Sequence, residues 1–310
     1  MTLAFRAHGK LLLTGEYAVL DGAEALAIPV RYGQTLYAQT AAPPAQLRWI
    51  STDWQGQPWF EAFFRLPDLE VIRASDESTT QRLRALLLAC RHQQPAFLTD
   101  GQGWQVHMAA DYPLHWGLGS SSTLVAALAR WAEVDPYALL FETLGGSGYD
   151  IACAFASGPI FYQLVGRTPH VTPVPFFPPF SDRLFFVFLE KKQDSRAEIR
   201  RFRQRDTPSP QWLNAVSALT RKCALAQTLE QFAALLREHE HLLSVALDLS
   251  PVQEALFPDF PGVVKSLGAW GGDFILAASR LSAANTVRYF QEKGFPTCIP
   301  YLEMALPLAR

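Results

Sequence analysis

The chain is poor in sulfur and in charge. Its 310 residues include four cysteines and three methionines, and charged side chains make up 18% of the total. Cys90, Cys153, Cys223 and Cys298 stand far apart with no C-x-x-C pair among them. They read as reduced, structural thiols of a cytoplasmic protein. No sign of charge dominates: 27 Lys and Arg against 29 Asp and Glu leave a net charge of −2, which excludes a nucleic-acid binder driven by bulk charge. No stretch approaches the ~20 apolar residues of a membrane span, so no membrane partner is expected. Residues 1–10 carry no apolar run long enough for a secretory leader. Repeats and low-complexity tracts are missing as well. The seven histidines show no metal-ligand spacing, and His239 and His241 are expected on the exposed face of a helix.

What is present suits a packed globular protein. Apolar residues make up 49%, and the length predicts two domains. Residues 3–14 read as extended segments broken near His8-Gly9. Residues 33–41, 46–51, 59–64 and 104–110 read as strands. Leu83, Leu86, Leu87 and Cys90 share one face of a helix over 79–94. Asp135-Pro136 starts another helix, with Asp as the N-cap and Pro in the first turn; it stops at Gly145-Gly146. Asp150 falls at a turn before a strand, and 159–165 is a strand. Pro169, Pro173, Pro175, Pro178 and Pro179 mark the best domain boundary, giving domains over 1–167 and 180–310. Beyond it come a buried strand at 184–190 and helices near 195–205, 209–227 and 229–248. A glycine turn at 268–272, a strand at 273–279, a helix at 283–293 and an edge strand from Thr297 follow. Strands and helices mix without strict alternation, so the class is α+β.

The segment with the most chemical content is Trp116-Gly117-Leu118-Gly119-Ser120-Ser121-Ser122-Thr123, which runs into an apolar helix over 121–131. Helix N-termini carry unpaired N–H groups and a partial positive charge, and so hold anions. Glycine lets the backbone approach a phosphate closely, and serine hydroxyls bond phosphate oxygens or ligate magnesium. The segment reads either as a plain capped loop or as a phosphate cradle. It is not a Walker loop, since no Gly-Lys-Ser/Thr follows. It is not the dinucleotide signature either, since Gly117 and Gly119 lack the third glycine.

Three further segments decide between these readings. They are His8-Gly9-Lys10-Leu11-Leu12-Leu13-Thr14-Gly15-Glu16-Tyr17-Ala18-Val19-Leu20, then Gly146-Ser147-Gly148-Tyr149-Asp150-Ile151-Ala152, then Ser266-Leu267-Gly268-Ala269-Trp270-Gly271-Gly272-Asp273. Together with the cradle, in this order, they resemble the motifs of the GHMP kinases, and Gly-Tyr-Asp-Ile-Ala resembles the GYDIA-type subgroup. Gly15-Glu16-Tyr17-Ala18-Val19, Gly146-Ser147-Gly148-Tyr149-Asp150 and Gly271-Gly272-Asp273 are similar to the phosphomevalonate kinase forms. The resemblance implies a β-rich N-terminal, ATP-binding domain with a left-handed βαβ crossover and a ferredoxin-like C-terminal domain. It also implies an ATP- and Mg2+-dependent kinase, monomer or homodimer, of a small anionic metabolite. Phosphomevalonate, in isoprenoid precursor synthesis, is the leading acceptor. Mevalonate kinase, a sugar kinase, and a nucleotide-binding regulatory protein without chemistry are the alternatives.

Roles follow residue by residue. Lys10, an ammonium in an apolar, small-residue stretch, is either a snorkelling strand residue or a charge aimed at the ligand; the resemblance implies the second, countering charge on the transferring phosphoryl group. Asp150 is a turn aspartate by composition and, by resemblance, the catalytic carboxylate. It acts as a base on a hydroxyl acceptor and only orients an acceptor that is already an ionised phosphate. Gly117, Leu118, Gly119, Ser120, Ser121 and Ser122 are expected on the ATP phosphates. Ser121 matches the magnesium-ligating position, and Glu142, eight residues before Asp150, is the second metal candidate. Glu16, Tyr17 and Asp273 are expected at the acceptor, as are Lys192 and Ser195 from the basic run at the start of a helix. The chain departs from the family pattern at His8, at Ser122-Thr123 and at Trp270, whose indole stands where a glycine is usual and is expected to reshape the pocket.

Overall fold

The computed structural model describes residues 2–191, 199–200, 202–204, 208–268, 270 and 272–306. The chain divides into two compact units that interleave along the sequence. The first holds residues 1–9, 32–114 and 118–155; the second holds 10–31, 115–117 and 156–310.

Strands of the first unit run in the order β5-β4-β3-β6-β2. They are β2 (Ala25–Thr40), β3 (Gln46–Thr52), β4 (Pro58–Arg65), β5 (Glu70–Ala74) and β6 (Trp104–Ala110), and β1 (Thr2–Thr14) also pairs with β2. β3 runs parallel to β6, with Trp49 opposite Val106, while β2–β6, β3–β4 and β4–β5 are antiparallel, so the sheet is mixed. β1 runs unbroken through the expected interruption at His8-Gly9. The sheet buries Leu36, Leu47, Trp49, Phe64 and Val106 in a core shared with helices α1 (Glu77–Gln93), α2 (Ser120–Ala132) and α3 (Pro136–Thr143). The face Leu83, Leu86, Leu87, Cys90 is buried as its spacing predicts. Asp76 caps α1 through the Thr79 N–H, and Asp135 caps α3 through Tyr137 and Ala138 with Pro136 in the first turn. Residues 149–155 form a short helix, α4, where a turn before a strand is expected. Ile151, Ala152, Cys153 and Ala154 are all buried, and a short run buried on every side shows neither helical nor strand periodicity.

The second unit pairs the N-terminal half of β2 with β7 (Ile160–Val165), and β7 with β8 (Thr168–Pro173). It also carries a four-stranded antiparallel sheet in the order β10-β11-β9-β12. Its strands are β9 (Leu184–Phe188), β10 (Gly262–Ser266), β11 (Phe274–Ser279) and β12 (Cys298–Pro300). β9 and β11 are buried at every position, which is why they read as unbroken apolar runs. Phe185, Val187, Ile275 and Ala277 pack on Val252 of α7 (Val252–Leu256) and Phe290 of α8 (Ala283–Glu292). Helices α5 (Pro210–Leu225) and α6 (Leu229–Leu247) are capped by Ser209 and Thr228. A last short helix, α9, spans Tyr301–Met304. The helix expected near 195–205, with Lys192 and Ser195, lies largely outside the described residues. No helix among the described residues is long and apolar enough to cross a membrane.

Candidate functional site

In the first unit the predicted cradle opens α2. Gly119 sits at φ 89 as its N-cap and offers no side chain to the first turn. The amides of Ser122 and Thr123 return to the Gly119 carbonyl, and the exposed Ser121 stands on the first turn. The Thr123 hydroxyl donates to Gln34 Oε1 on β2 at 2.6 Å, fixing the turn to the sheet. Ser122 donates its hydroxyl to Asp150 Oδ2, while Asp150 Oδ1 accepts the Ile151 N–H at 3.1 Å. The predicted catalytic carboxylate and the predicted phosphate loop are therefore in direct contact. Glu142 belongs to α3 of the same unit. Its half-exposed carboxylate faces His92 Nδ1 at 3.6 Å from α3.

In the second unit, His115, Trp116 and Gly117 are seated on the small sheet. The His115 ring packs on Phe188 and the Trp116 ring meets Phe274 edge-on, with centroids 5.4 and 5.6 Å apart. Lys10 Nζ donates to the Gly117 carbonyl at 3.1 Å. Asp273 approaches the same residue from another side: a Cβ on Gly117 would lie 2.4 Å from the Asp273 carboxyl carbon. Gly117, at φ 69, thus needs glycine on two counts, backbone conformation and space. Asp273, itself at φ 51, is pinned by its amide to the Lys191 carbonyl and by its carbonyl to the Leu189 amide, both at 2.8 Å.

Glu16 is buried, and its Oε1 takes Lys265 Nζ at 2.5 Å. Lys265, on β10, is fully buried and also donates to the Ser266 carbonyl. Around this pair stand His239 and Glu240 of α6 and Ser266 of β10, all buried. His239 is not the surface residue expected. Its Nε2 accepts the Gly15 N–H at 2.9 Å, so its proton sits on Nδ1. Burial and the Lys265 charge hold its pKa well below the ordinary range. Its 3.7 Å approach to Glu16 is therefore not an ion pair. Burial raises Glu16, opposed by Lys265, and pushes Glu240 up to about 7. Glu240 Oε1 accepts the Ser266 N–H at 3.1 Å. Three of the thiols are no candidates for chemistry: burial pushes Cys90, Cys223 and Cys298 up to about 12, far from the thiolate form.

Tyr17 and Trp270 are buried together with Phe202, Leu243 and Leu247. The Trp270 amide donates to the Tyr17 hydroxyl at 3.0 Å, and its indole N–H donates to the Ser250 carbonyl at 3.2 Å. The indole that replaces a glycine thus fills a core in the second unit. Gly271 and Ala269 lie outside the described residues.

Lys265 is the residue that sequence reasoning missed. It carries the same signal as Lys10, one ammonium inside an apolar strand, and that signal was there to read.

No family model and no curated protein matches the sequence. Solved structures do match over nearly the whole chain. Streptococcus pneumoniae phosphomevalonate kinase, in complex with phosphomevalonate and AMPPNP, is 16% identical over 96% of this chain and 99% of its own, with TM-score 0.71. Methanococcus jannaschii mevalonate kinase is 12% identical over 97% and 98%, with TM-score 0.70. Lactococcus lactis galactokinase, in complex with galactose, is 14% identical over 99% and 94%, with TM-score 0.64. The chain has the α+β fold of the GHMP kinases.

Proposed function

We propose that this chain is an ATP-dependent kinase that transfers the γ-phosphoryl group to a small anionic metabolite, with phosphomevalonate as the acceptor. The observation that carries the reading is the Ser122–Asp150 hydrogen bond. It joins a glycine-opened helix N-terminus, a geometry that favours anions, to the carboxylate that this reading assigns to the acceptor. The likeness to a phosphomevalonate kinase solved with phosphomevalonate and AMPPNP supports both ligand classes.

In this reading the amides at the start of α2 and the hydroxyls of Ser120, Ser121 and Ser122 hold the ATP phosphates. Lys10 lies on the Gly117 carbonyl, at the loop's first residue, and its ammonium offsets the charge that develops on the equatorial oxygens during transfer. An acceptor phosphate oxygen forms the new bond to Pγ as the bond to the ADP oxygen breaks, giving ADP and a diphosphate. That acceptor oxygen is already ionised near neutral pH, so Asp150 orients it and has no proton to take.

The residues fit a magnesium ion brought in by the nucleotide. Among the described residues no three His, Cys, Asp or Glu side chains group into a cage, and Mg2+ in kinases keeps waters and uses one or two carboxylates plus substrate phosphates. Asp150 and the Ser121 hydroxyl would hold it, and it would supply charge neutralisation on the phosphates. Glu142, beside His92, is the weaker second ligand.

The test is ADP release from purified protein with MgATP and each of phosphomevalonate, mevalonate and galactose. Phosphomevalonate is expected to stimulate release most. Lys10→Met and Asp150→Ala are each expected to lower the stimulated rate on the order of 100-fold or more. Stimulation by galactose alone contradicts the acceptor. Unchanged rates in both variants contradict the assigned roles.

A further inference from the structure

We infer that Ser122 is a positioning residue for Asp150 and gives no hydrogen bond to the nucleotide; the inference rests on the kinase reading above and narrows it, leaving the phosphates to the other serines of the run.

All the contacts lie within the first unit. Successive residues of a helix point about 100° apart, so the opening turn of α2 divides its hydroxyls between solvent and protein. Ser121 is exposed, whereas Ser122 and Thr123 are buried. The buried pair is already bonded to the protein: Thr123 to Gln34 on β2, and Ser122 to Asp150. A serine hydroxyl has one proton to donate. An ionised phosphate and an ionised carboxylate can only accept, so that proton serves one of them at a time. Ser122 is also covered, so a ligand arriving from solvent meets Ser121 first. The backbone donor of Ser122 is engaged as well, its amide returning to the Gly119 carbonyl at 3.0 Å. Neither donor of Ser122 is left for a ligand. Asp150 takes what the nucleotide forgoes. Its Oδ2 accepts from Ser122 on α2, and its Oδ1 accepts the Ile151 N–H on α4. Both oxygens are held, from two elements, and the carboxylate is fixed in one orientation. A hydroxyl-to-carboxylate bond is charge-assisted and roughly twice as strong as a neutral one. Because Ser122 stands in the turn that Gly119 opens, this bond sets the carboxylate's place relative to the phosphate-binding turn.

The test is Ser122→Ala, read on the nucleotide and on the acceptor separately. Alanine favours the helix and removes only the hydroxyl. Calorimetric titration with AMPPNP and Mg2+ is expected to give the parent's stoichiometry and an affinity within about twofold of the parent's, since no hydrogen bond to the nucleotide is lost. ADP release is then followed with MgATP and whichever acceptor stimulates the parent most. The kcat/KM for that acceptor is expected to fall about 10-fold or more, the worth of a hydrogen bond to a charged group, while KM for ATP holds. A merely structural role would lower the calorimetric stoichiometry together with the rate. In an Asp150→Ala background, Ser122→Ala is expected to change the remaining rate less than about twofold, because residues acting through one another are not additive. Where that rate is too low to follow, the split between nucleotide and acceptor decides alone. An AMPPNP affinity roughly 3-fold or more weaker in Ser122→Ala, the loss of a net hydrogen bond, puts the hydroxyl on the phosphates and overturns the inference. Parental kcat/KM, or an equal loss in both backgrounds, overturns it too, and all three leave the kinase reading standing. A parent that binds no AMPPNP, or whose ADP release no acceptor stimulates, contradicts the kinase reading and the inference with it.

Discussion

Glu240 and Lys265 show what single residues contribute here. Lys265 is a fully buried ammonium whose charge is met by Glu16. Removing one partner of such a pair strands the other charge, so Lys265→Met is expected to destabilise the protein by about 3–5 kcal/mol in urea unfolding. Glu240 gives a pH dependence with a definite sign. Its ordinary pKa of 4.5 rises to about 7 through burial. Between those values the folded state keeps a proton that the unfolded state has lost, so stability falls as pH rises through that window and the loss is complete above 7. At ~1.4 kcal/mol per pH unit the loss is at most about 3–4 kcal/mol. Glu240→Gln, which keeps an oxygen for the Ser266 N–H, is expected to flatten this part of the stability–pH profile. A profile as steep as the parent's between pH 5 and 7, read from thermal unfolding, contradicts the assignment. Sequence reading had His239 on the surface because an i, i+3, i+4 stripe does not say which polar residue inside it has a buried partner. The partner, the Gly15 amide, is 224 positions away.

At the scale of elements, the loop from Gly117 to Ser122 behaves as its residue types require. Gly117 has no room for a methyl group beside Asp273 and sits at positive φ. Gly117→Ala is expected to weaken AMPPNP binding by about tenfold or more, in line with ~1–2 kcal/mol for a left-handed alanine before the collision is counted. An affinity within twofold of the parent would show that the loop does not need that geometry. Thr123→Val leaves Gln34 Oε1 without its hydroxyl donor and is expected to cost about 1–3 kcal/mol of stability, read by urea unfolding. Capped and periodic elements were legible in advance: α1 by its spacing, α3 by Asp135-Pro136, and β9 and β11 by their apolar runs. Other elements were not, among them β5, β8, β10, α4 and the first half of β2. α4 is too short and too uniformly buried to show a period. The first half of β2 reads Ala25-Leu26-Ala27-Ile28-Pro29-Val30, and its proline argues against a strand that forms nevertheless. Of the candidate site, the motifs singled out Gly117, Ser122, Asp150 and Lys10, and the structure pairs Ser122 with Asp150 and Lys10 with Gly117. It was not legible where contact depends on folding, as for Lys265 with Glu16 or Trp270 with Tyr17.

For the molecule as a whole, sequence identity of 12–16% coexists with matched folds over nearly the full chain. Fold is held by patterning and burial, which many sequences satisfy, whereas acceptor choice rests on few side chains. The interleaved units carry their own prediction. The second needs residues 10–31, since Glu16 meets Lys265 and Ala25 pairs with Tyr162. Residues 156–310 expressed alone are therefore expected to show no cooperative unfolding transition, and a sharp transition contradicts that dependence. The central claim is the transfer itself, and phosphorus NMR of the protein with MgATP and phosphomevalonate tests it most directly. The account predicts diphosphate signals of ADP and of diphosphomevalonate growing in equal amounts, and their loss in Asp150→Ala. ATP that stays intact, or ADP that accumulates with free phosphate while phosphomevalonate is untouched, would contradict it.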